Sequence, residues 1–156
     1  MNPIIFAFRL GAALALGATI GLERQWRQRT TGLRTNALVA VGAAMFVIMG
    51  GLISGDGNQG RVAAYVVSGI GFLGGGVILK DGFNVRGLNT AATLWCTAAV
   101  GTLAALGQVG LAAVGTAAVL ASNLLLLPLA QGVSGAAGRK KSAVRSGSDD
   151  DEVIRE

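Results

Sequence analysis

Residues 36–54 read NALVAVGAAMFVIMGGLIS, an apolar run that contains no charged side chain. A helix needs about 20 consecutive apolar residues to cross the ~30 Å hydrocarbon core of a bilayer. Runs of similar length stand at four other places in the chain, which are 3–22, 62–79, 90–106 and 109–130. Their apolar residues do not alternate, which argues against a lipid-facing β-barrel. The sequence therefore predicts an all-α membrane protein with five transmembrane helices.

The composition supports a membrane environment and excludes several chemistries. Only 13% of the 156 residues are charged and 25 are glycine, whereas a soluble domain has about 25% charged residues and about 7% glycine. So little charge could not cover a small globule in water. With no histidine and a single cysteine, Cys96, the chain offers no Ser-His-Asp triad and no multi-cysteine metal cluster. We expect no catalytic residues, no metal site and no cofactor.

The basic residues gather in alternate loops. Eleven of the 13 Lys and Arg residues lie in the first loop, in the third loop and after the fifth span. Because cytoplasmic loops of membrane proteins carry an excess of Lys and Arg, the N-terminus is predicted outside and the C-terminus in the cytoplasm. This sorting explains the net charge of +5 without nucleic acid, so no nucleic-acid partner is predicted. The first span ends in charge, at Glu23, and is expected to be retained and not cleaved as a signal peptide.

The predicted domain organisation is a transmembrane domain over 1–130 and a short charged tail over 131–156. The tail is too short and polar to bury a core of its own, so we expect it to be disordered. Its basic stretch, 139–145, could touch anionic lipid head groups, and its acidic cluster, 149–152, could bind a divalent cation weakly. A solvated chain end is the simpler interpretation of both.

Two short segments resemble each other. Residues 32–37 read GLRTNA and residues 87–92 read GLNTAA, and each precedes an apolar span. Thr35 in the first segment, and Asn89 and Thr90 in the second, could satisfy free N–H groups at a helix N-terminus or donate to another subunit. Because both segments are predicted on one side of the membrane, they indicate a possible parallel repeat of helices 1–2 and 3–4.

Glycines recur at a spacing that lets helices approach closely in lipid. The G-x-x-x-G pairs are Gly17 and Gly21, Gly51 and Gly55, and Gly71 and Gly75. The densest run is 69–76, which adds Gly74 and lacks the Lys-Ser/Thr of a phosphate-binding loop. It is interpreted either as a smooth helix-packing face or as an unwound stretch that exposes carbonyl groups. The predicted packing positions are Gly17, Gly21, Gly71, Gly74 and Gly75.

Charged residues at the ends of the first two spans are candidates for function. A carboxylate at membrane level is costly unless it is paired. Glu23 could pair with Arg24, Arg27 or Arg34 and so tie the first loop to its helices.

The acidic residues before the tail do not suggest a dedicated Mg²⁺ carrier. They are Glu23, Asp56 and Asp81, and all three fall at the predicted ends of spans. A transport site near the bilayer midplane would need oxygen ligands there. An oligomer with a carbonyl-lined path remains an alternative.

Three stretches resemble the MgtC/SapB family, and within it the virulence-associated branch. The first stretch is 20–50, which begins IGLERQWRQRTTGLRTNALVAVGAA; the second is 68–78 (SGIGFLGGGVI) and the third is 84–96 (NVRGLNTAATLWC). The similarity covers about residues 4–128. The resemblance implies a bacterial inner-membrane protein linked to Mg²⁺ homeostasis, growth at low Mg²⁺ and virulence. It further implies a regulator whose membrane partners include the F-type ATP synthase and a small hydrophobic regulatory peptide.

The family's motif residues fall here on Glu23, Arg24, Gly32, Arg34, Thr35, Gly71, Gly74, Arg86, Gly87, Asn89 and Thr90. Asn89 and Cys96 have the form seen in the virulence-associated branch. The chain departs from that branch in two respects. Only a short polar segment follows the fifth span, where the branch usually has a soluble domain, and Asn36 stands where many members have histidine.

Three functional hypotheses follow. The leading one is a regulator whose helices bind other membrane helices, with Glu23, Arg34 and Asn89 shaping the contact surface. The alternative is an oligomeric transporter or channel for Mg²⁺, another cation or a small solute. A membrane enzyme is the third, and it is disfavoured because the sequence offers no nucleophile and base. Besides the lipid bilayer, a second copy of the chain is an expected partner, since small-residue faces associate in lipid.

Overall fold

A computed structural model describes residues 1–54 and 58–126, which form five helices and one short β-hairpin. In chain order the elements are α1 (Pro3–Trp26), α2 (Leu33–Ser54), α3 (Gln59–Val77), β1 (Leu79–Asp81), β2 (Asn84–Arg86), α4 (Leu88–Ala105) and α5 (Val109–Leu126). About 83% of the structure is helical. Residues Met1–Leu120 form one compact unit, and 121–126, the described part of a second, are helical. The predicted tail, 131–156, lies outside the described residues.

Four of these helices are long and apolar enough to cross a membrane. They are Pro3–Trp26, Leu33–Ile53, Gln59–Val77 and Val109–Leu126. This confirms the expectation of a helical protein with several candidate spans. The orientation of the spans and the parallel repeat stay predictions.

Helix α4 corresponds to the predicted span 90–106 but is not among the four apolar helices. Several threonines lower its apolar character, and it has more buried residues than α1 or α3. Thr93, Thr97 and Thr102 each donate a hydroxyl to the carbonyl oxygen four residues earlier, at 2.8–3.0 Å. The hydroxyls of Thr93 and Thr102 therefore find acceptors within the helix, whereas that of Thr97 lies within hydrogen-bond distance of both the Thr93 carbonyl oxygen and Oδ1 of Asn36 in α2. Helix α4 packs against α1, α2 and α3.

The β-hairpin between α3 and α4 departs from the all-α prediction. Leu79, which was expected to end the third span, instead begins β1, because Ile78 has an extended backbone that ends the helix. β1 and β2 pair in antiparallel register, with Leu79 opposite Arg86. Gly82 opens the two-residue turn at φ 58°, and glycine first in such a turn is the signature of a type II′ hairpin. That signal is present in the sequence as Gly82-Phe83 between short strands.

Two helices end in the same hydrogen-bond pattern, the Schellman motif. At the end of α1, the N–H of Gln28 bonds to the Gln25 carbonyl and the N–H of Arg29 to the Arg24 carbonyl, both at 3.0 Å. The residue after such a cap adopts positive φ and is usually glycine. Gly107 fills this place after α4 with φ 80°, whereas after α1 it is Gln28, with φ 54°. The α1–α2 connection thus begins with a sharp turn at a non-glycine residue.

Arg9 joins the other end of α1 to α4. It is the charged residue within the first apolar run, and its Nη1 donates to the carbonyl oxygen of Ala105 at 2.8 Å. A cation beside the last carbonyls of a helix is stabilised by the helix dipole. The charge is therefore accommodated at the C-terminus of α4.

The centre of the fold is a contact among small residues. The buried core is rich in alanine, including Ala13, Ala40, Ala44 and Ala104. Ala40 of α2 lies against Gly17 of α1 and Gly101 of α4. A methyl carbon at Gly17 would lie 2.6 Å from Ala40 Cβ, and one at Gly101 would overlap the Ala40 carbonyl oxygen. Helix backbones that approach so closely gain van der Waals packing, which drives helix association in lipid.

We predict that Gly17→Ala destabilises the protein, because its methyl group has no space against Ala40 and Asn36. Overpacking of this kind costs about 1–3 kcal/mol. Equilibrium unfolding in mixed detergent micelles, followed by circular dichroism, measures the loss. The matched control is Gly11→Ala in the same helix, where a methyl group meets nothing within 4 Å. The control should be neutral or gain up to about 1 kcal/mol from helix propensity; equal stability of the two variants would contradict the packing argument.

Candidate functional site

The predicted polar residues of the first and third connections meet where α1 ends and α4 begins. Arg24, in the last turn of α1, is 1% exposed although it carries a charge. Its Nη2 donates to Oγ1 of Thr90 at 2.5 Å, and Thr90 lies in the first turn of α4. A buried hydrogen bond from a charged group is among the stronger polar contacts in a protein. It joins two residues that the sequence suggested separately.

A cavity of about 340 Å³ opens at this junction. We call it the arginine basin, and its lining residues are Arg24, Gln28, Arg29, Thr30, Arg86, Gly87, Asn89 and Thr90. Among the described residues, this lining has three guanidinium groups and no carboxylate. Of these residues, Arg29, Arg86 and Asn89 are exposed, whereas Arg24 and Thr90 are buried. The basin can therefore accept hydrogen-bonding groups of negative charge.

Glu23 pairs with a different arginine from those of the basin. Its Oε1 lies 3.0 Å from Nε of Arg27, one turn further along α1. Both side chains are partly exposed. The structure thus contains the Glu23–Arg27 ion pair, one of the three pairings that the sequence left open.

Asn36 is a buried polar residue that sequence reasoning treated only as a departure from a family pattern. It is 0% exposed, and its Nδ2 donates to the carbonyl oxygens of Gly32 at 2.9 Å and Thr31 at 3.4 Å. Its Oδ1 lies 3.0 Å from Oγ1 of Thr97 in α4, a hydroxyl that also reaches the Thr93 carbonyl. An amide within an apolar run must find such partners, because an unpaired amide is costly in lipid. An asparagine inside an apolar run is therefore the sequence signal that could have identified Asn36 as a residue with buried polar contacts.

Arg34 and Thr35 lie apart from the basin. Both are exposed at the start of α2 and border a groove of about 850 Å³ between α2 and α3. The α2–α3 groove is otherwise mainly apolar, and its lining includes Leu38, Val39, Phe46, Met49, Tyr65, Val66, Ile70 and Leu73. The predicted site residues therefore divide into a basin group (Arg24, Arg86, Asn89 and Thr90) and a groove group (Arg34 and Thr35), and Glu23, paired with Arg27, lines neither cavity.

The predicted packing glycines also divide. Gly17 and Gly21 are buried, and a methyl carbon at Gly21 would lie 2.6 Å from the Cα of Leu33. One at Gly74 would meet Ala91 at 3.5 Å, an ordinary contact. At Gly71 and Gly75 it would meet nothing within 4 Å in the part of the chain that is described. A packing role for these last two stays a prediction.

The acidic residues of the described chain do not cluster as metal ligands do. Within residues 1–54 and 58–126, no group of three or more His, Cys, Asp or Glu side chains is placed to hold a metal ion. Asp56 and the acidic cluster 149–152 lie outside the described residues, so their weak cation binding stays a prediction. Cys96 is half-buried in α4 and is a free thiol.

Comparison with known proteins gives consistent matches. A family model described as the MgtC family matches residues 10–131. Protein MgtC of Brucella abortus (strain 2308) is 62% identical over 122 residues, which are 78% of this chain and 51% of that protein. Protein MgtC of Salmonella typhimurium (strain LT2) is 57% identical over 129 residues, 83% of this chain and 55% of that protein. An uncharacterized protein of Synechocystis sp. is 60% identical over 121 residues, which are 78% of this chain and 52% of that protein.

The chain thus spans about half the length of the curated relatives it matches. No solved structure matches it.

We predict that Thr97→Val destabilises the protein by about 1 kcal/mol, because Oδ1 of the buried Asn36 loses its donor. Equilibrium unfolding in mixed micelles measures the effect. Thr102→Val is the matched control, since the Thr102 hydroxyl donates within α4, to the Ala98 carbonyl oxygen at 3.0 Å. The control should stay within about 0.5 kcal/mol of the parent. If both variants unfold alike, the Asn36–Thr97 contact contributes nothing.

Proposed function

The chain belongs to the MgtC family, and from this premise we propose that it is a bacterial inner-membrane regulator that acts by binding other membrane helices. In this proposal it serves Mg²⁺ homeostasis, growth at low Mg²⁺ and virulence, as the sequence resemblance implies. The F-type ATP synthase is the proposed partner, and a small hydrophobic regulatory peptide and a second copy of the chain are further candidates. Catalysis forms no part of the proposal.

The open face of α3 is the observation that carries the proposal. Only 6% of the apolar window of α3 is buried within the chain, against 44% for α2. Exposed apolar side chains alone do not distinguish a partner from lipid, because lipid tails are equally apolar. Exposed glycines do distinguish a protein partner from lipid, because they let the backbone of another helix come close. Gly71 and Gly75 lie one turn apart, and no described residue lies within 4 Å of a Cβ placed on either, so a partner helix could approach α3 there.

The α2–α3 groove provides a second part of the contact surface. Its length along two helices and its apolar lining suit a single transmembrane helix. Arg34 at one end offers a guanidinium group, which could pair with a carboxylate at the end of a partner helix. Thr35 beside it is exposed and able to donate or accept.

Asn89 is exposed on the rim of the arginine basin, in the first turn of α4. Its amide can both donate and accept hydrogen bonds, which suits recognition of a polar group at the end of a partner helix. Its exposure supports the sequence-based expectation that Asn89 takes part in the contact surface.

Transport of Mg²⁺ or another cation is the competing hypothesis. The arginine basin disfavours it at this end of the helices, because three guanidinium groups repel a divalent cation. The regulator and the transporter give different results when the purified chain is placed in liposomes.

We predict that ATP synthase subunits co-purify with the chain in mild detergent and that Asn89→Ala reduces their yield at least about fivefold, the effect of about 1 kcal/mol. The readout is quantitative mass spectrometry of the affinity-purified material. Asn58→Ala is the matched control, since Asn58 makes no side-chain cap to α3. Undiminished recovery with Asn89→Ala would remove Asn89 from the contact surface.

The same preparation tests transport. Liposomes that contain the reconstituted chain and a Mg²⁺-sensitive dye should take up no more Mg²⁺ than protein-free liposomes with the same dye. A flux clearly above that background would overturn the purely regulatory hypothesis.

We also predict that Gly71→Leu combined with Gly75→Leu reduces association with other copies or with ATP synthase by about fivefold or more, because the side chains hold a partner helix away from α3. Chemical crosslinking in membranes and co-purification measure it. Gly11→Leu is the control, since this glycine is equally open on α1. Loss of association at normal thermal stability supports the proposal. Unchanged association means that the glycine face, Gly71 and Gly75 of α3, is not the contact.

A further inference from the structure

The arginine basin has a property that helix binding does not explain, which is an unsatisfied buried cation. Arg24 is 1% exposed, and its Nε is buried without a hydrogen-bond partner among the described residues. The hydrogen bond that its Nη2 makes goes to Thr90, a neutral hydroxyl. A buried guanidinium group is stable only with enough negative charge or enough acceptors around it. From this geometry we infer that the basin binds a phosphate-type oxyanion.

The charges around Arg24 support the inference. The neighbouring Glu23 attracts Arg24, and this attraction is larger than the repulsion from Arg29. However, the Glu23 carboxylate also forms an ion pair with Arg27 and does not line the basin. Arg86 brings a third guanidinium group from β2. Three cations therefore line one cavity, two of them exposed and one buried, and an anion in that cavity is attracted by all three.

The N-terminus of α4 adds backbone donors on the same side. Its N-cap is Gly87, which makes no side-chain cap, and the first helical bond runs from the N–H of Ala91 to the Gly87 carbonyl at 2.9 Å. The N–H groups before Ala91 therefore point out of the helix end, where the helix dipole favours an anion. Gly87 has φ 92°, and a side chain there would overlap the Val77 carbonyl. Only glycine fits, so the uncapped helix end is built into the fold.

The donor set favours phosphate over a single carboxylate. Arginine forks match the oxygens of a phosphate group, and Thr30, Asn89 and Gln28 add neutral donors at the rim. The volume of about 340 Å³ is near the lower limit of the 300–1,000 Å³ usual for ligand pockets, which suits a phosphate with a short attachment. Two sources carry this chemistry: free phosphate from solution, and the head group of an anionic phospholipid beside the helix ends.

The test uses the full chain and the exposed arginines, since Arg24 is part of the core. Arg29→Gln combined with Arg86→Gln removes two of the three cations. Lys80→Gln is the charge control, because Lys80 is exposed on the same hairpin as Arg86 and does not line the basin. Helical circular dichroism verifies that each variant is folded.

Inorganic phosphate is titrated calorimetrically into the chain in neutral detergent at fixed ionic strength. In parallel, native mass spectrometry counts phosphatidylglycerol and phosphatidylcholine adducts after incubation with each lipid. We expect saturable binding of phosphate, or retention of phosphatidylglycerol over phosphatidylcholine, and a loss of about tenfold or more in the double variant only.

Each result has one meaning. Phosphate binding that the double variant loses assigns the site to a free anion. Selective phosphatidylglycerol adducts that the double variant loses, without phosphate binding, assign it to a lipid head group. Binding of neither ligand, or an equal loss in Lys80→Gln, overturns the inference. Because the readout is ligand binding to the purified chain, the outcome is independent of whether the chain binds ATP synthase.

Discussion

The close approach of α2 to α1 and α4 at Ala40 sets the register of these three helices. Ala40 is held between Gly17 and Gly101, with no room for a methyl group on either glycine. One turn before Ala40 stands Asn36, and one turn before Gly101 stands Thr97, so the same register brings their polar groups within 3.0 Å. In lipid no water could satisfy these groups at a wider spacing. The packing of the small residues and the pairing of the polar residues therefore require the same register of the helices.

The same arrangement separates two surfaces with different chemistry. The end of α1 and the start of α4 meet at the Arg24–Thr90 hydrogen bond and form a cationic basin. Along α2 and α3 lies an apolar groove beside a glycine face. The sequence motifs do not reveal this division, because Arg34 and Arg86 stand at similar places relative to an apolar span but border different cavities.

Apolar runs were sufficient to predict the helices, since length and hydropathy act locally along the chain. The hairpin at 79–86 was missed because an apolar Leu79 extends the third run in sequence although the helix ends at Val77. Helix α4 was predicted as a span like the others, but its threonines depend on neighbours that no local pattern reveals. The Arg24–Thr90 and Asn36–Thr97 contacts each join residues more than 60 positions apart in the chain, so only the folded chain could identify them.

The threonine content of α4 also bears on how the chain enters the membrane. A helix that buries Thr90, Thr93 and Thr97 against its neighbours gains less from lipid alone than α1, α2 or α5 do. Helix α4 packs against α1, α2 and α3, all of which precede it in the chain and are synthesised first. We therefore expect the stable placement of α4 in the membrane to depend on its contacts with these earlier helices. Substitutions in α1 that disturb the packing would then act on a helix made much later in the chain.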